Sequence, residues 1–199
     1  MTPADVGRDV RLLEEVSRKE GTTPFLEKAL RAAARASQAT GIPVTTHTYA
    51  VGRGGEKQAE IFEAEGLDPA NVCLGHCDES NDLDYLTGLA RRGYTVGMDH
   101  LTRGASPAQA QVLSWQQRAE CVAKLIEAGF AERIFLSNDW FFGASMAVTG
   151  AMQTMDALNP DGILFDTRKT IPHLRQLEVT DQQIRTITVE NPRRFLAGS

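Results

Sequence analysis

His47, His76, His100 and Asp139 are the residues of this chain whose types and placement suit them to hold a metal ion. Each stands where a strand-like stretch runs out: IPVTTH ends at His47, NVCLGH at His76, YTVGMDH at His100 and RIFLSND at Asp139. Neutral imidazoles with a carboxylate form an electron-rich site for zinc or a similar divalent cation. Such an ion lowers the pKa of bound water to about 7, so the chemistry implied is metal-assisted hydrolysis. Taken singly, these residues have ordinary explanations. A histidine after a strand is commonly a hydrogen-bonded core or loop residue, and Asp139 in LSNDW could cap the next helix. His173, behind Pro172 in a late helix, fits a structural role. Asp78, Glu79, Asp82 and Asp84 read as a solvated acidic face with helix-start charges. The joint arrival of three histidines and an aspartate at four successive strand ends favours a site.

The elements that must position them follow from the spacing. The intervals are 29, 24 and 39 residues, near the roughly 30 residues of one strand–helix unit in a (β/α)8 barrel, whose strand C-termini converge on one rim. Strands are expected over Ile42–Thr46, Val72–Leu74, Tyr94–Met98 and Ile134–Leu136. Helices are expected over Arg8–Arg18, from Pro24 to Gly41, over Glu56–Glu65 and over Asp82–Arg92. Another starts at Ser114, whose spacing to Gln117 suits a capping box and which turns Trp115, Val122, Leu125 and Ile126 inward. Met152, Met155 and Leu158 suggest a further helix, and Ile171–Leu177 and Thr180–Ile187 complete the set. Strands alternating with helices imply an α/β fold with a parallel sheet and right-handed crossovers. Four such units make half of a barrel.

Composition narrows the function classes. The chain has 199 residues and a net charge of −5 without a lysine–arginine block, which argues against a nucleic-acid surface. The N-terminus lacks an apolar signal-like core, and no apolar run approaches the ~20 residues of a membrane span. A cytoplasmic protein acting on a small molecule is the expectation. Cys73, Cys77 and Cys121 lack zinc-finger spacing and read as buried reduced thiols, with a minor metal role left open for Cys77 beside His76.

VTTHT at Val44–Thr48, GHCDESNDLDYLTGLARRGYTVGMDH at Gly75–His100, LSNDWFFG at Leu136–Gly143 and the closing ENPRRFL together resemble the bacterial phosphotriesterases, TIM-barrel members of the amidohydrolase superfamily. The resemblance runs from about Pro24 to the C-terminus and includes DVGRDVRLLEEVSR near the start. It implies a zinc-dependent hydrolase of ester bonds. His47 and His76 match the ligands of one metal of a binuclear centre. Asp139 matches the ligand of the other, which also takes a proton from the bridging hydroxide. His100 and Glu79 match the proton relay behind that aspartate, although the family carries aspartate at the position of Glu79. Trp140 and Phe141 match leaving-group contacts, whereas Ala144 and Ala147 replace aromatic rings and the loop after His100 is shortened. A lactone therefore competes with an aryl phosphotriester as the expected substrate.

Two family features have no counterpart in this sequence: a His-x-His pair on the first strand and a carboxylated lysine on the fourth. Residues 1–19 resemble the helix after the second strand, and residues 22 onward resemble the region past the fourth. Lys19, near that junction, is a poor match for the bridging lysine. The resemblance thus implies one domain, 1–199. Residues 1–20 would be an N-terminal helix remnant and 21–199 a partial TIM barrel holding strands 5–8, with the N-terminal half largely missing. Open strand edges and an apolar inner face invite a homodimer that completes the barrel. The alternative is an inactive homologue that keeps partial metal binding or serves as a partner-binding or structural fragment.

Overall fold

Thr23 opens the first helix: its hydroxyl accepts the Leu26 amide at 3.2 Å, and Pro24 occupies the first turn, where no N–H partner is needed. In this computed structural model, which describes residues 22–102, 113–140 and 159–197, that helix is α1 (Pro24–Thr40). Gly41 closes it at φ 71°, with its amide on the Ser37 carbonyl. The expected helices over Arg8–Arg18 and around Met155, together with Lys19, Phe141, Ala144 and Ala147, lie outside the described residues.

Four strands follow: β1 (Val44–His47), β2 (Val72–Gly75), β3 (Thr95–Met98) and β4 (Ile134–Leu136). They form one parallel sheet in the order β1-β2-β3-β4, with Val44 beside Val72, Leu74 beside Val96 and Met98 beside Leu136. Parallel neighbours need long crossovers, supplied by α2 (Gly54–Ala64), α3 (Leu83–Arg91) and α4 (Trp115–Glu127). The first strand was expected from Ile42 but pairs only from Val44, since Pro43 has no N–H for a ladder. It also runs one residue further than expected, taking in His47.

Side chains alternate across each strand. Val44, Val72, Leu74, Val96, Met98 and Ile134 point to one face and are buried in a single core with Leu30, Phe62, Leu86, Val122 and Leu125 of the helices. The opposite face carries the smaller set Thr45, Cys73, Gly75, Thr95 and Gly97, with Thr45 exposed and Phe135 half-buried against the ring of Phe195 at 5.1 Å. Ser114 and Gln117 form the expected capping box on α4. Trp115 departs from expectation: it lies half-buried and packs edge-on against Phe165 and His173, at 5.7 and 5.3 Å, rather than into the core.

The chain closes with α5 (Ile171–Gln176), α6 (Asp181–Arg185) and α7 (Asn191–Ala197). Wide π turns, Asp166–Thr170 and Thr186–Glu190, stand just ahead of Pro172 and Pro192. Proline offers no amide and crowds the carbonyl four residues back, and a widened turn relieves both. That relief lets the helix expected to stop at Ile187 continue to Ala197. The Asn191 side-chain amide then donates to the carbonyls of Ala131 and Ile134, each at 2.8 Å, and ties the last helix to the start of β4. No helix of the described residues is long and apolar enough to cross a membrane.

Candidate metal centre at the strand ends

Each sequence-selected residue sits at the C-terminal end of a strand. His47 is the last residue of β1, His76 directly follows β2, His100 comes two residues after β3, and Asp139 three after β4. His76 and Asp139 adopt the left-handed region, at φ 58° and 50°. Histidine and aspartate tolerate it better than most residues, yet it costs on the order of 1–3 kcal/mol, and such strain gathers at functional sites.

The side chains meet. One ligand atom each from His76, His100 and Asp139 lie within 4.8 Å of one another. The rings of His76 and His100 stack at 3.6 Å, 16° from parallel, and His47 stands edge-on to His76 at 4.3 Å. Imidazole nitrogens and carboxylate oxygens are zinc ligands, and His76 and Asp139 of this group stand where one ion could take both. The donor set fits a divalent transition metal, with His47 adjoining it. Cys77 does not take part. Its thiol donates to the Leu74 carbonyl at 3.1 Å, and burial pushes its pKa well above the ordinary value, leaving a protonated sulfur. All three cysteines are buried and free.

Both nitrogens of His100 face carboxylates. Nδ1 lies 3.0 Å from Glu79 Oε1, and Nε2 lies 3.0 Å from Asp139 Oδ2. An imidazole so placed can take a proton on one nitrogen and give one up from the other. Glu79 is partly buried, which disfavours its charge. The bond from His100 and the nearby charges of His100 and Arg118 outweigh that, and hold its carboxyl below the usual range. The extra methylene of glutamate is thus compatible with contact to His100.

Behind these residues is a second layer that sequence reasoning missed. Asp99 Oδ1 accepts the His76 backbone amide at 2.7 Å and lies 2.9 Å from His76 Nδ1. A carboxylate on Nδ1 fixes the ring and turns Nε2 toward an ion. Room for Asp99 comes from missing side chains: a Cβ on Gly97 would stand 2.9 Å from Asp99 Oδ2, and one on Gly75 3.1 Å. Gln58 of α2 holds β1, donating to the His47 carbonyl at 2.8 Å and accepting from Thr46 at 2.7 Å. Asp78, expected in a solvated acidic face, is instead fully buried against Arg118 at 3.1 Å. Its carboxylate is in demand as an acceptor for the amides of Asp99 and His100. The acidic-face reading holds for Asp82, which caps α3 and pairs with Arg53, and for exposed Asp84. Signals for the missed residues were present: glycines interrupt β2 and β3, and Arg118 shares the i, i+4, i+7 spacing of Val122 and Leu125 on a buried helix face.

Trp140 is half-buried next to Asp139, its amide on Asn138 Oδ1 at 3.1 Å and its indole beside Gly162. Asn138 also donates to the Ile163 carbonyl at 3.1 Å, joining the loop after β4 to the chain before α5. His173 keeps a structural place, edge-on to Trp115, with Nδ1 3.3 Å from Gln176.

Comparison with known proteins places this geometry. The model of the phosphotriesterase family matches residues 4–196. A phosphotriesterase homology protein from Mycobacterium tuberculosis is 37% identical over 197 residues, covering 96% of this chain and 56% of its own. An aryldialkylphosphatase from Saccharolobus solfataricus is 30% identical, covering 89% of this chain and 54% of its own. The solved structure of the phosphotriesterase from M. tuberculosis superposes with a TM-score of 0.77 at 36% identity, covering 90% of this chain and 53% of the other. The chain therefore spans about half the length of the relatives it matches. By family match, by identity and by fold, it belongs to the phosphotriesterase family.

Proposed function

We propose that this chain carries the relay-bearing half of a metal-dependent ester hydrolase, its four strands being the second half of an eight-stranded barrel within a single domain. The observation that carries this reading is His100 held between Glu79 and Asp139, at 3.0 Å on each side, with His76 stacked upon it. His76 and Asp139 would hold a zinc or similar ion, with His47 as a further ligand. When bound, the ion supplies an acidified water and an electrophile for the ester oxygen.

The chain's own residues do the rest. Asp139 Oδ2 takes the proton of the attacking water and passes it to His100 Nε2, and His100 Nδ1 releases a proton toward Glu79 Oε1. Asp99 keeps His76 in the tautomer whose Nε2 faces the ion. Trp140 and Phe141 are assigned to the leaving group. An aryl phosphotriester is the first substrate class, supported by the aryldialkylphosphatase relative, and a lactone is the second.

Calorimetric titration of the 199-residue chain with zinc, followed by assays on an aryl dialkyl phosphotriester and a lactone, tests the proposal. One ion should bind, and His76→Ala and Asp139→Asn should each weaken binding by at least about 10-fold. A folded chain that takes up no zinc refutes it. A second reading rests on the span of about half the relatives' length: a chain that binds metal without turnover. Bound zinc with no hydrolysis of either substrate would select it.

A further inference from the structure

The turn after β3 poses a geometric problem. Asp99 and His100 are consecutive, yet both must serve the site: Asp99 reaches His76, and His100 reaches Glu79 and Asp139. Successive residues of a strand point to opposite faces, so the backbone must leave the strand at Met98 and be held in a definite turn. The two amides of that turn converge on one carboxylate. Asp78 Oδ1 accepts Asp99 N at 3.3 Å, and its two oxygens accept His100 N at 3.1 and 3.0 Å.

Asp78 is in turn fixed from the far side. Arg118 Nη1 donates to its Oδ2 at 3.1 Å, and Arg118 Nε donates to the Leu113 carbonyl at 3.1 Å, just ahead of α4. Both side chains are fully buried. A buried ion pair is a poor stability device, since an apolar pair of similar volume often does as well. What distinguishes this one is what it grips.

We infer that Asp78 and Arg118 are positioning residues: together they set the backbone of Asp99 and His100, and through it the aim of His76 at the ion and of His100 at Glu79 and Asp139. The inference rests on the proposed metal site, but its structural half can be read without metal. Two variants probe it. Asp78→Asn with Arg118→Met removes both charges at similar volume. Asp78→Glu keeps the charge and shifts the carboxylate by one methylene.

Folding is followed by urea unfolding, metal binding by the affinity and visible spectrum with cobalt(II), and aim by the imidazole 1H–15N signals of His100 in metal-free protein. The expected result in whichever variant unfolds cooperatively is a cobalt(II) Kd raised about 10–100-fold, an altered cobalt spectrum, and displaced or exchange-broadened His100 signals. A cooperatively folded variant with wild-type cobalt affinity and unchanged His100 signals overturns the inference. So does failure of both variants to fold, which would make the pair a folding determinant only. If wild-type protein binds no cobalt(II), the metal reading falls, and the His100 signals alone decide the positioning role.

Discussion

Gly75→Ala is the most direct test of how the strand ends are built. The added Cβ would lie 2.5 Å from the Thr46 carbonyl oxygen and 3.1 Å from Asp99 Oδ2. The first contact is with backbone, so relief requires β1 and β2 to part by roughly half an ångström or more where strands normally sit about 4.8 Å apart. Overpacking of this kind costs about 1–3 kcal/mol, and the upper part of that range applies because no side chain can swing aside. Loss of glycine's freedom in the unfolded chain returns about 0.4–1 kcal/mol. The net expectation is a destabilisation of about 2 kcal/mol, or a Tm lower by about 4–8 °C for a chain of this size. Zinc affinity should fall as well, because Asp99 is displaced from His76. Gly88 in α3 is the control: its Cβ would meet nothing within 4 Å, so Gly88→Ala should stabilise by about 0.5–1 kcal/mol. Differential scanning calorimetry with zinc titration of both variants decides it. A Gly75→Ala protein melting at or above wild type, and binding zinc equally well, refutes the packing argument.

Burial raises the pKa of Asp166 from 3.8 to about 6, with the Thr170 hydroxyl bond opposing the shift. A carboxyl whose folded pKa lies above its unfolded one binds more protons when folded, so its penalty grows as pH rises from about 4 to about 6 and persists above that. Asp166→Asn keeps an acceptor for Thr170, and should raise stability at pH about 8 by about 1–2 kcal/mol while flattening that slope; equal urea midpoints for variant and wild type across the range would rule it out. The isolated chain is also predicted to self-associate, because a two-fold that sets β4 of one copy beside β1 of another pairs parallel edges and covers exposed Thr45. Sedimentation velocity should show a dimer that Thr45→Lys weakens, and a strictly monomeric chain at every concentration would refute it.

The four strands and the helices α1 to α4 were legible because they had a plain apolar period and glycine or capping punctuation, as at Gly41 and Ser114. Boundaries slipped where the local backbone departs from the simple period: Pro43 delayed β1, and the helix expected to stop at Ile187 runs on through a π turn. His76, His100 and Asp139 were legible as strand-end residues, and the structure brings them together. Asp99 and Asp78 were not, because sequence cannot tell a solvated carboxylate from one buried against a partner. Their neighbours made the difference: 40 positions separate Asp78 from Arg118, and only the packing of α4 behind the turn after β2 closes that gap. Gln58, eleven residues past the carbonyl it grips, hid among ordinary helix-surface polar residues for the same reason.

These contacts have a consequence for how affinity and turnover divide. The bonds that orient the site run from His76 to Asp99, from Asp99 and His100 to Asp78, and from His100 to Glu79 and Asp139, all within the ends of β2, β3 and β4. None of them needs a residue from outside this chain. The orientation of His76, and the place of His100 between Glu79 and Asp139, therefore rest on contacts within this chain. Activation of water asks for more, because the ion's charge, open positions and exclusion of solvent depend on everything that surrounds it. If, as proposed, His76, Asp139 and a neighbouring His47 hold an ion and His100 relays the proton, the chain should lose turnover before it loses metal. Zinc affinity and hydrolysis rate measured on the same preparation should then part company, with the first surviving changes around the rim that abolish the second.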